Sequence, residues 1–134
     1  MILQIKEYWN NQIRLDIDIK NADFITNPGN SYGYQDYTNV TFVVDIKNRG
    51  KQPTTISAIN FFSEVPSFTD LKASDNRKHM PFEPIRLEAN DRIKKDIFVY
   101  ENIYLKDRNS FSCTLEFETS HKTITKKITA SKED

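Results

Sequence analysis

Apolar residues recur at every second position along three stretches of the chain, residues 13–20, 42–47 and 111–118. The first stretch alternates four aliphatic residues with four charged ones: Ile13, Leu15, Ile17 and Ile19 against Arg14, Asp16, Asp18 and Lys20. A period of two places the apolar side chains on one face of a β-strand. Strands with one polar face are typical of antiparallel sheets, because buried parallel strands read as unbroken apolar runs. The sequence therefore predicts an all-β, antiparallel fold.

Weaker strand patterns fill the rest of the chain. Residues 3–9 lead through Asn10-Asn11, a predicted turn, and residues 54–62 form a strand whose alternation slips, which predicts a β-bulge. The segment Asn48-Arg49-Gly50-Lys51 predicts a short hairpin between two strong strands. Strands over residues 93–100 and 124–128 each carry a lysine on their apolar face, a device that protects sheet edges. About seven or eight short strands with regular turns predict a sandwich or a small barrel.

Length and charge limit the organisation and the classes of partner. The 134 residues suit one domain spanning residues 1–134, and no linker or repeat divides them. Nineteen basic side chains balance nineteen acidic ones. Nucleic-acid binding needs a net basic face, so we expect no nucleic-acid partner. The basic residues between 122 and 127 are interleaved with Thr and Ile, which favours a solvated strand face.

Segments for membranes and export are missing from the sequence as it stands. Its apolar runs are far shorter than the roughly 20 residues that a membrane-spanning helix needs. The first residues lack the apolar block of a signal peptide, and the single cysteine permits no internal disulfide. These features predict a cytoplasmic protein. The alternative is an exported or cell-surface protein from which a signal segment has been removed.

Residues that could perform chemistry are few and dispersed. His79 and His121 have no ligand partner at metal-site spacing, and both are expected to be exposed. Cys113 shares its predicted strand face with large apolar residues, so we expect a buried and inert thiol. Asp16 and Asp18 share a strand face, but the basic residues beside them favour a salt-bridged surface over a carboxylate pair for catalysis or Ca²⁺. We predict no enzymatic activity, catalytic residue, metal or cofactor.

The stretch from Trp9 to Phe62 resembles a known pattern. Its parts are Ile13-x-Leu15-x-Ile17, a tyrosine-rich loop, the segment from Thr41 to Lys51, and Ile56-x-x-Ile59-Asn60-Phe61. This is similar to the immunoglobulin-like domains of unknown function in Gram-positive lipoproteins, which resemble a secreted mycobacterial immunogenic protein. The resemblance implies an immunoglobulin-like antiparallel β-sandwich of about seven or eight strands. It also implies a binding or structural module, and it carries over no functional residue.

Two long connections, residues 21–38 and 64–84, separate the predicted strands. Connections longer than about 12–15 residues are uncommon unless they are functional or disordered. Both are rich in large apolar and aromatic residues, which suit binding loops because tyrosine offers contact area at low entropic cost. The alternative is that these rings pack back onto the core. The candidate partner-binding residues are Phe24, Tyr32, Tyr34, Tyr37, Phe68, Met80 and Phe82.

These observations favour a non-catalytic interaction module that binds a protein partner through residues 21–38 and 64–84. High Lys, Asn and Ile usage suggests a bacterial protein or one from a phage or mobile element, such as a small inhibitor. The alternative function is a structural or assembly subunit of a virion or cell surface, associating through strand edges. Its oligomeric state decides between them, because the assembly hypothesis requires self-association.

Overall fold

The computed structural model of the chain describes residues 14–75 and 82–133. These residues form nine β-strands and no helix, so the all-β prediction is confirmed. The strands are β1 (Leu15–Asn27), β2 (Tyr37–Asn48), β3 (Thr54–Ser63), β4 (Leu71–Lys72), β5 (Ser74–Asp75), β6 (Ile85–Leu87), β7 (Arg92–Glu101), β8 (Ser110–Thr119) and β9 (Thr123–Lys132). The predicted strand at 3–9 and its turn lie outside the described residues. No helix in the described residues has the length and apolar character needed to cross a membrane.

The strands pair into one continuous sheet in the order β4–β3–β8–β9–β1–β2–β7–β5, with β6 also pairing β3. Every pairing is antiparallel except that of β1 with β9. That parallel pairing is short: it joins Asp23 to Ser131 and Phe24 to Lys132. It links two antiparallel groups, one of β1, β2, β7 and β5, the other of β3, β4, β6, β8 and β9.

The two ends of this sheet approach each other through one short segment. β4 pairs with β3 and β5 pairs with β7, and Ala73 alone separates β4 from β5 along the chain. The sheet is therefore nearly barrel-shaped, closed on one side by the β1–β9 pairing and on the other by this crossing. A sheet that curls in this way encloses its apolar face.

The core fills the space that the sheet encloses. Phenylalanine rings dominate it, with Phe61 and Phe68 packed edge to face at a centroid distance of 5.2 Å and Phe24 tilted against Phe111 at 4.9 Å. Cys113 is buried among them, as predicted. Large rings supply much of the buried apolar area of a domain of this size.

A bulge in β1 explains why the first predicted loop is too long. The register of β1 against β2 shifts between Ile19 and Asn21, which leaves Lys20 as an extra residue. Before the bulge Ile17 faces the core, and beyond it the even-numbered residues Ala22, Phe24 and Thr26 do. β1 therefore continues to residue 27, and only residues 28–36 form a connection. The prediction of a loop over residues 21–38 is therefore wrong at both ends, because residues 21–27 belong to β1 and residues 37–38 belong to β2.

The second predicted loop, residues 64–84, is also interrupted. It contains β4 and β5, and residues 76–81 lie outside the described residues. Two other turn predictions have opposite outcomes. The bulge in residues 54–62 is confirmed, since the register of β3 against β8 shifts between Ile56 and Ala58. The hairpin at residues 48–51 is wrong, because β2 and β3 belong to different strand groups and do not pair.

Candidate functional site

Two of the predicted partner-binding residues lie in the core. Phe24 belongs to β1 and Phe68 to the connection after β3, and both side chains are fully buried. Phe68 packs against Phe61 and against Phe111, whose ring centroid is 6.0 Å away. Neither ring has surface to offer a partner, so their assignment to exposed loops is wrong. For these two residues the alternative, packing back onto the core, is correct.

The other candidate of the second loop that the structure describes, Phe82, is half-buried against the core. The ammonium group of Lys95 lies 5.7 Å from the centroid of its ring. This cation–π contact covers part of the ring that remains outside the core. Met80 lies outside the described residues. The second loop therefore offers no exposed aromatic cluster within the described part of the chain.

The connection between β1 and β2, residues 28–36, has a defined internal structure. The N–H of Asn30 donates to the carbonyl of Tyr34 at 3.0 Å, and the side chain of Asn30 accepts the N–H of Tyr32 at 2.8 Å. The side chain of Asp36 accepts the N–H of Gly29. A Cβ atom at Gly29 would lie 2.5 Å from the Tyr34 carbonyl oxygen, so only glycine permits this closeness. The loop is held by local hydrogen bonds that a short, polar sequence supplies.

Beside this loop lies a groove of about 620 Å³, here called the tyrosine groove. Its lining residues are Asn27, Pro28, Asn30, Gly33, Tyr34, Gln35, Tyr37, Tyr100 and Asn102. The rings of Tyr37 and Tyr100 are stacked, with centroids 6.0 Å apart and planes 17° apart. Asn27 donates to the Tyr37 hydroxyl at 2.7 Å, and the Tyr100 hydroxyl donates to Asn102 at 3.1 Å. Side-chain hydrogen bonds thus fix the two rings that form its floor.

A buried polar network under the tyrosine groove holds its two walls together. Thr26 and Thr38 hydrogen-bond through their hydroxyls at 2.7 Å, and both side chains are buried. The Thr38 hydroxyl donates to the carbonyl of Ile103, and the Leu105 N–H donates to the Thr26 hydroxyl. The segment after β7 is therefore attached to β1 and β2. Buried hydrogen-bonded networks add rigidity to the elements that they join, here β1, β2 and the segment after β7.

The exposed apolar surface of the described residues is concentrated at this end. Its large exposed side chains are Tyr32, Tyr34 and Ile25, which are 88%, 72% and 40% exposed. Ile25 lies across from Asn39 on β2, and Asn39 lies across from Tyr100 on β7. The side-chain oxygen of Asn39 is buried and accepts no hydrogen bond within the described residues. An apolar surface clustered around polar anchors is typical of binding sites.

At the opposite end of the same sheet face, acidic and basic side chains form ion pairs. Asp18 pairs with Lys20 at 2.7 Å, and Asp16 lies between Arg14 and Arg49. The preference for a salt-bridged surface over a catalytic or Ca²⁺-binding carboxylate pair is thus supported by the contacts. Each carboxylate already has a cationic partner, so this end offers charge pairing within the chain.

The described residues that could perform nucleophilic or acid–base chemistry do not converge. His121 is exposed in the β8–β9 turn, where its ring nitrogen lies 3.2 Å from the Pro53 carbonyl, and His79 lies outside the described residues. Burial raises the pKa of the Cys113 thiol to about 12, which keeps it protonated and unreactive. The described residues contain no group of three or more His, Cys, Asp or Glu side chains placed to hold a metal ion.

Sequence reasoning found Tyr32, Tyr34 and Tyr37 but missed the other half of the site. Ile25 and Asn27 were assigned to a loop, and they extend the face as part of β1. Tyr100 and Asn102 lie about seventy positions along the chain from the tyrosine loop, at the end of β7. The pairing of β2 with β7 brings Tyr100 and Asn102 close to Tyr37, and no local sequence pattern predicts that pairing. The outward position of Tyr100 was nonetheless readable from the alternation of residues 97–100.

Comparisons with known proteins concern the fold. No protein-family model and no curated protein matches the sequence. Among solved structures, YcdA of Bacillus subtilis, named as a lipoprotein, matches with a TM-score of 0.56 at 18% identity. The match covers 88% of this chain and 37% of that one, so this chain spans little more than a third of that protein. A FixG-related protein of Vibrio parahaemolyticus matches with a TM-score of 0.52 at 10% identity, over 90% and 97% of the two chains.

These likenesses show that the chain shares an all-β fold with proteins of different descriptions. The resemblance to lipoprotein domains is supported to that extent, since one of these structures is named as a lipoprotein. At such low identity the matches show a shared fold and do not identify a functional site, because one fold hosts many unrelated functions.

Proposed function

We propose that this chain is a non-catalytic interaction module that binds a protein partner through the tyrosine groove and the loop at residues 28–36. One observation carries the proposal: the large exposed apolar side chains of the described residues are Tyr32 and Tyr34, in this loop, and Ile25, which is in register with Tyr100 across β2. Tyrosines on a loop that a rigid sheet positions are suited to contact a partner with little loss of conformational entropy. The groove beside them supplies amide and hydroxyl groups for orientation.

We propose further that the nearly barrel-shaped sheet is an immunoglobulin-like sandwich. In that fold one sheet has the order A–B–E–D and the other contains C–F–G. The order β1–β2–β7–β5 and the neighbouring strands β3, β8 and β9 correspond to it, with β4 beside β3. We propose that this sandwich is similar to the domains of Gram-positive lipoproteins and to the mycobacterial protein. We also propose that the chain is located outside the cytoplasm, which the match to YcdA supports. Fractionation of the host tests this location.

The interaction proposal is tested by capture from the native host with the immobilised protein. The variant is Tyr32→Ala with Tyr34→Ala, which removes two exposed rings and leaves the core intact. A matched control is Thr125→Ala with Thr129→Ala, two exposed positions on β9 that do not line the groove. We expect the first pair to lose a specific captured protein and the control to retain it. Equal capture by both variants, with circular dichroism showing that both are folded, contradicts the proposal.

A further inference from the structure

None of the nine residues that line the tyrosine groove is charged at neutral pH. Primary amides and tyrosines account for seven of them: Asn27, Asn30, Gln35 and Asn102, with Tyr34, Tyr37 and Tyr100. An ionised group that left water for this groove would meet no opposite charge on its lining, which costs free energy. The lining therefore favours an uncharged occupant.

The hydrogen bonds around the groove leave donors for such an occupant. The side-chain oxygen of Asn30 accepts a backbone N–H of its own loop, and that of Asn102 accepts the hydroxyl of Tyr100. The NH2 groups of these two exposed asparagines are therefore available to donate. The Tyr37 hydroxyl accepts from Asn27, so its own hydrogen can donate as well. An uncharged group with many acceptors and few donors would match this set.

A proline-rich segment in the polyproline II conformation has this chemistry. Proline lacks a backbone N–H, so each proline presents a carbonyl acceptor and no main-chain donor. The polyproline II helix forms no internal hydrogen bonds, so these carbonyls are available to a partner. A segment of other residues would bring one N–H with every carbonyl, and each N–H would need an acceptor. Proline therefore fits the donors of the groove better than other uncharged residues do.

The tyrosine rings favour the same occupant. Proline-rich segments dock in grooves that are lined by aromatic side chains. Tyr37 and Tyr100 are stacked with their planes 17° apart, and each hydroxyl is hydrogen-bonded to an asparagine. Tyr34 is 72% exposed, so its ring is accessible beside them. A polyproline II segment is already extended before it binds, so it loses little conformational entropy on binding.

We propose that the tyrosine groove binds a proline-rich segment of the protein partner in the polyproline II conformation. Proline rings of the segment pack against Tyr34, Tyr37 and Tyr100. Its carbonyl oxygens accept hydrogen bonds from the side chains of Asn30 and Asn102. This inference rests on the proposed function, because it specifies which part of the partner enters the same groove.

The test uses the full chain and three synthetic peptides of equal length, built from the repeats Ser-Pro-Pro, Ser-Gly-Gly and Ser-Glu-Gly. Binding is followed by titration of ¹H–¹⁵N NMR spectra. We expect the Ser-Pro-Pro peptide to bind and to shift the amide signals of residues 29–37 and 100–102. The flexible Ser-Gly-Gly peptide should bind at least about tenfold more weakly, because it loses more conformational entropy. The Ser-Glu-Gly peptide should not bind, because the groove offers its carboxylates no cation.

Variants of the protein separate the contributions of donors and rings. Asn30→Asp and Asn102→Asp, made singly, remove an NH2 donor and keep the oxygen that accepts within the protein. Each should weaken binding of the Ser-Pro-Pro peptide by about two- to tenfold, the usual effect of one lost hydrogen bond. Tyr34→Ala should weaken it by about three- to tenfold through the loss of a ring. The matched control is Asn109→Asp, the same change at an exposed position that does not line the groove, which should leave binding unchanged.

The outcomes distinguish this inference from the proposed function. The proline-rich inference is overturned if the Ser-Pro-Pro peptide does not bind, binds no better than Ser-Gly-Gly, or shifts only signals outside the groove. An equal loss of binding in Asn109→Asp also overturns it, since added charge alone would then explain the effect. If capture from the host nevertheless depends on Tyr32 and Tyr34, the proposed function stands with a partner of different chemistry. If the peptide binds as expected but capture does not depend on these tyrosines, the groove remains a proline-binding site and the proposed function fails.

Discussion

Arg92 on β7 donates two parallel hydrogen bonds to the carboxylate of Asp45 on the neighbouring strand β2, from Nε to Oδ1 at 2.9 Å and from Nη2 to Oδ2. The Asp45 side chain is only 9% exposed, although it lies on the outer face of the sheet, whereas Arg92 is 64% exposed. The hydrogen bond from Arg92 lowers the pKa of Asp45, and the charges of Arg92, Lys20 and Lys94 act in the same direction against the effect of desolvation. A carboxylate that is largely shielded from water loses hydration, and its basic partner compensates for that loss.

The pair predicts a pH-dependent stability. A carboxyl group whose pKa is lowered by folding stabilises the protein above its unfolded pKa, and this contribution is lost as the pH falls through the folded pKa. Arg92→Gln should therefore lower the free energy of unfolding at neutral pH. The difference from the unsubstituted protein should shrink as the pH falls below about 4. Urea unfolding across the pH range in which both proteins remain folded measures it.

The control for this prediction is Arg86→Gln. Arg86 pairs with Glu88 at 2.9 Å, but both side chains are more than half exposed. Exposed pairs contribute little, so this variant should be close to the unsubstituted protein at every pH. A difference for Arg92→Gln that stays constant with pH would contradict the role assigned to Asp45.

Local sequence patterns predicted the parts of the fold that local physics determines. Residues 111–118 alternate without interruption, and the structure buries Phe111, Cys113, Leu115 and Phe117. Residues 21–27 were not recognised as strand, since an extra residue in β1 shifts the alternation and Asn, Ala and Asp follow it. A bulge inserts one residue, so the positions that face the core change from odd to even numbers beyond it. The alternation before the bulge therefore does not predict which residues are buried after it.

The turn at residues 48–51 was misassigned for a different reason. Asn48 is fully buried, and its side chain donates to the carbonyls of Gln52 and Leu87 and accepts the N–H of Gly50. It therefore connects the turn at residues 48–52 to Leu87, at the end of β6. A turn of this composition also suits a hairpin, so its residues do not reveal that the next strand joins a different group. The tyrosine groove was incompletely predicted for the same reason, since long-range pairing builds half of it.

Phe68 gives a test of the corrected role of the second loop. Its ring lies in the core against Phe61 and Phe111, although it comes from a connection between strands. Phe68→Ala should lower the free energy of unfolding by about 3–5 kcal/mol, the usual cost of truncating a buried phenylalanine. Tyr32→Ala, the exposed control, should change it by no more than about 0.5 kcal/mol. Chemical denaturation measures both, and similar small effects would place Phe68 on the surface.

The buried thiol of Cys113 predicts how the protein reacts with alkylating reagents. Desolvation raises its pKa to about 12, and the side chain lies among core residues, so reagent and thiolate are both excluded. Maleimide should react with the native protein slower than with the unfolded one by on the order of a thousandfold, since exposing the core requires unfolding. Mass spectrometry with and without urea measures the two rates. Cys113→Ala with Ser112→Cys moves the thiol to the exposed neighbouring position and should react at once.

Lys126 provides the test of the assembly alternative. Within the described part of the chain, residues 123–130 of β9 pair only with β8, so their other edge faces no strand. Lys126 lies opposite the buried Leu115 and is half-buried between Ile124 and Ile128, on the side of the sheet that faces the core. A lysine on the inner face of an edge opposes pairing with another chain, because pairing would bury its charge.

Lys126→Val should therefore promote self-association, while the unsubstituted protein stays monomeric at all concentrations. Lys127→Val is the matched control, since it removes the same charge and adds the same side chain at the exposed neighbouring position. Static light scattering after gel filtration, over a range of concentrations, measures the molar mass of each. If only Lys126→Val associates, the lysine protects the edge and β9 is not an assembly surface. If the unsubstituted protein already associates and Lys126→Val does so no more strongly, the edge is not protected and the assembly function gains support over the interaction module.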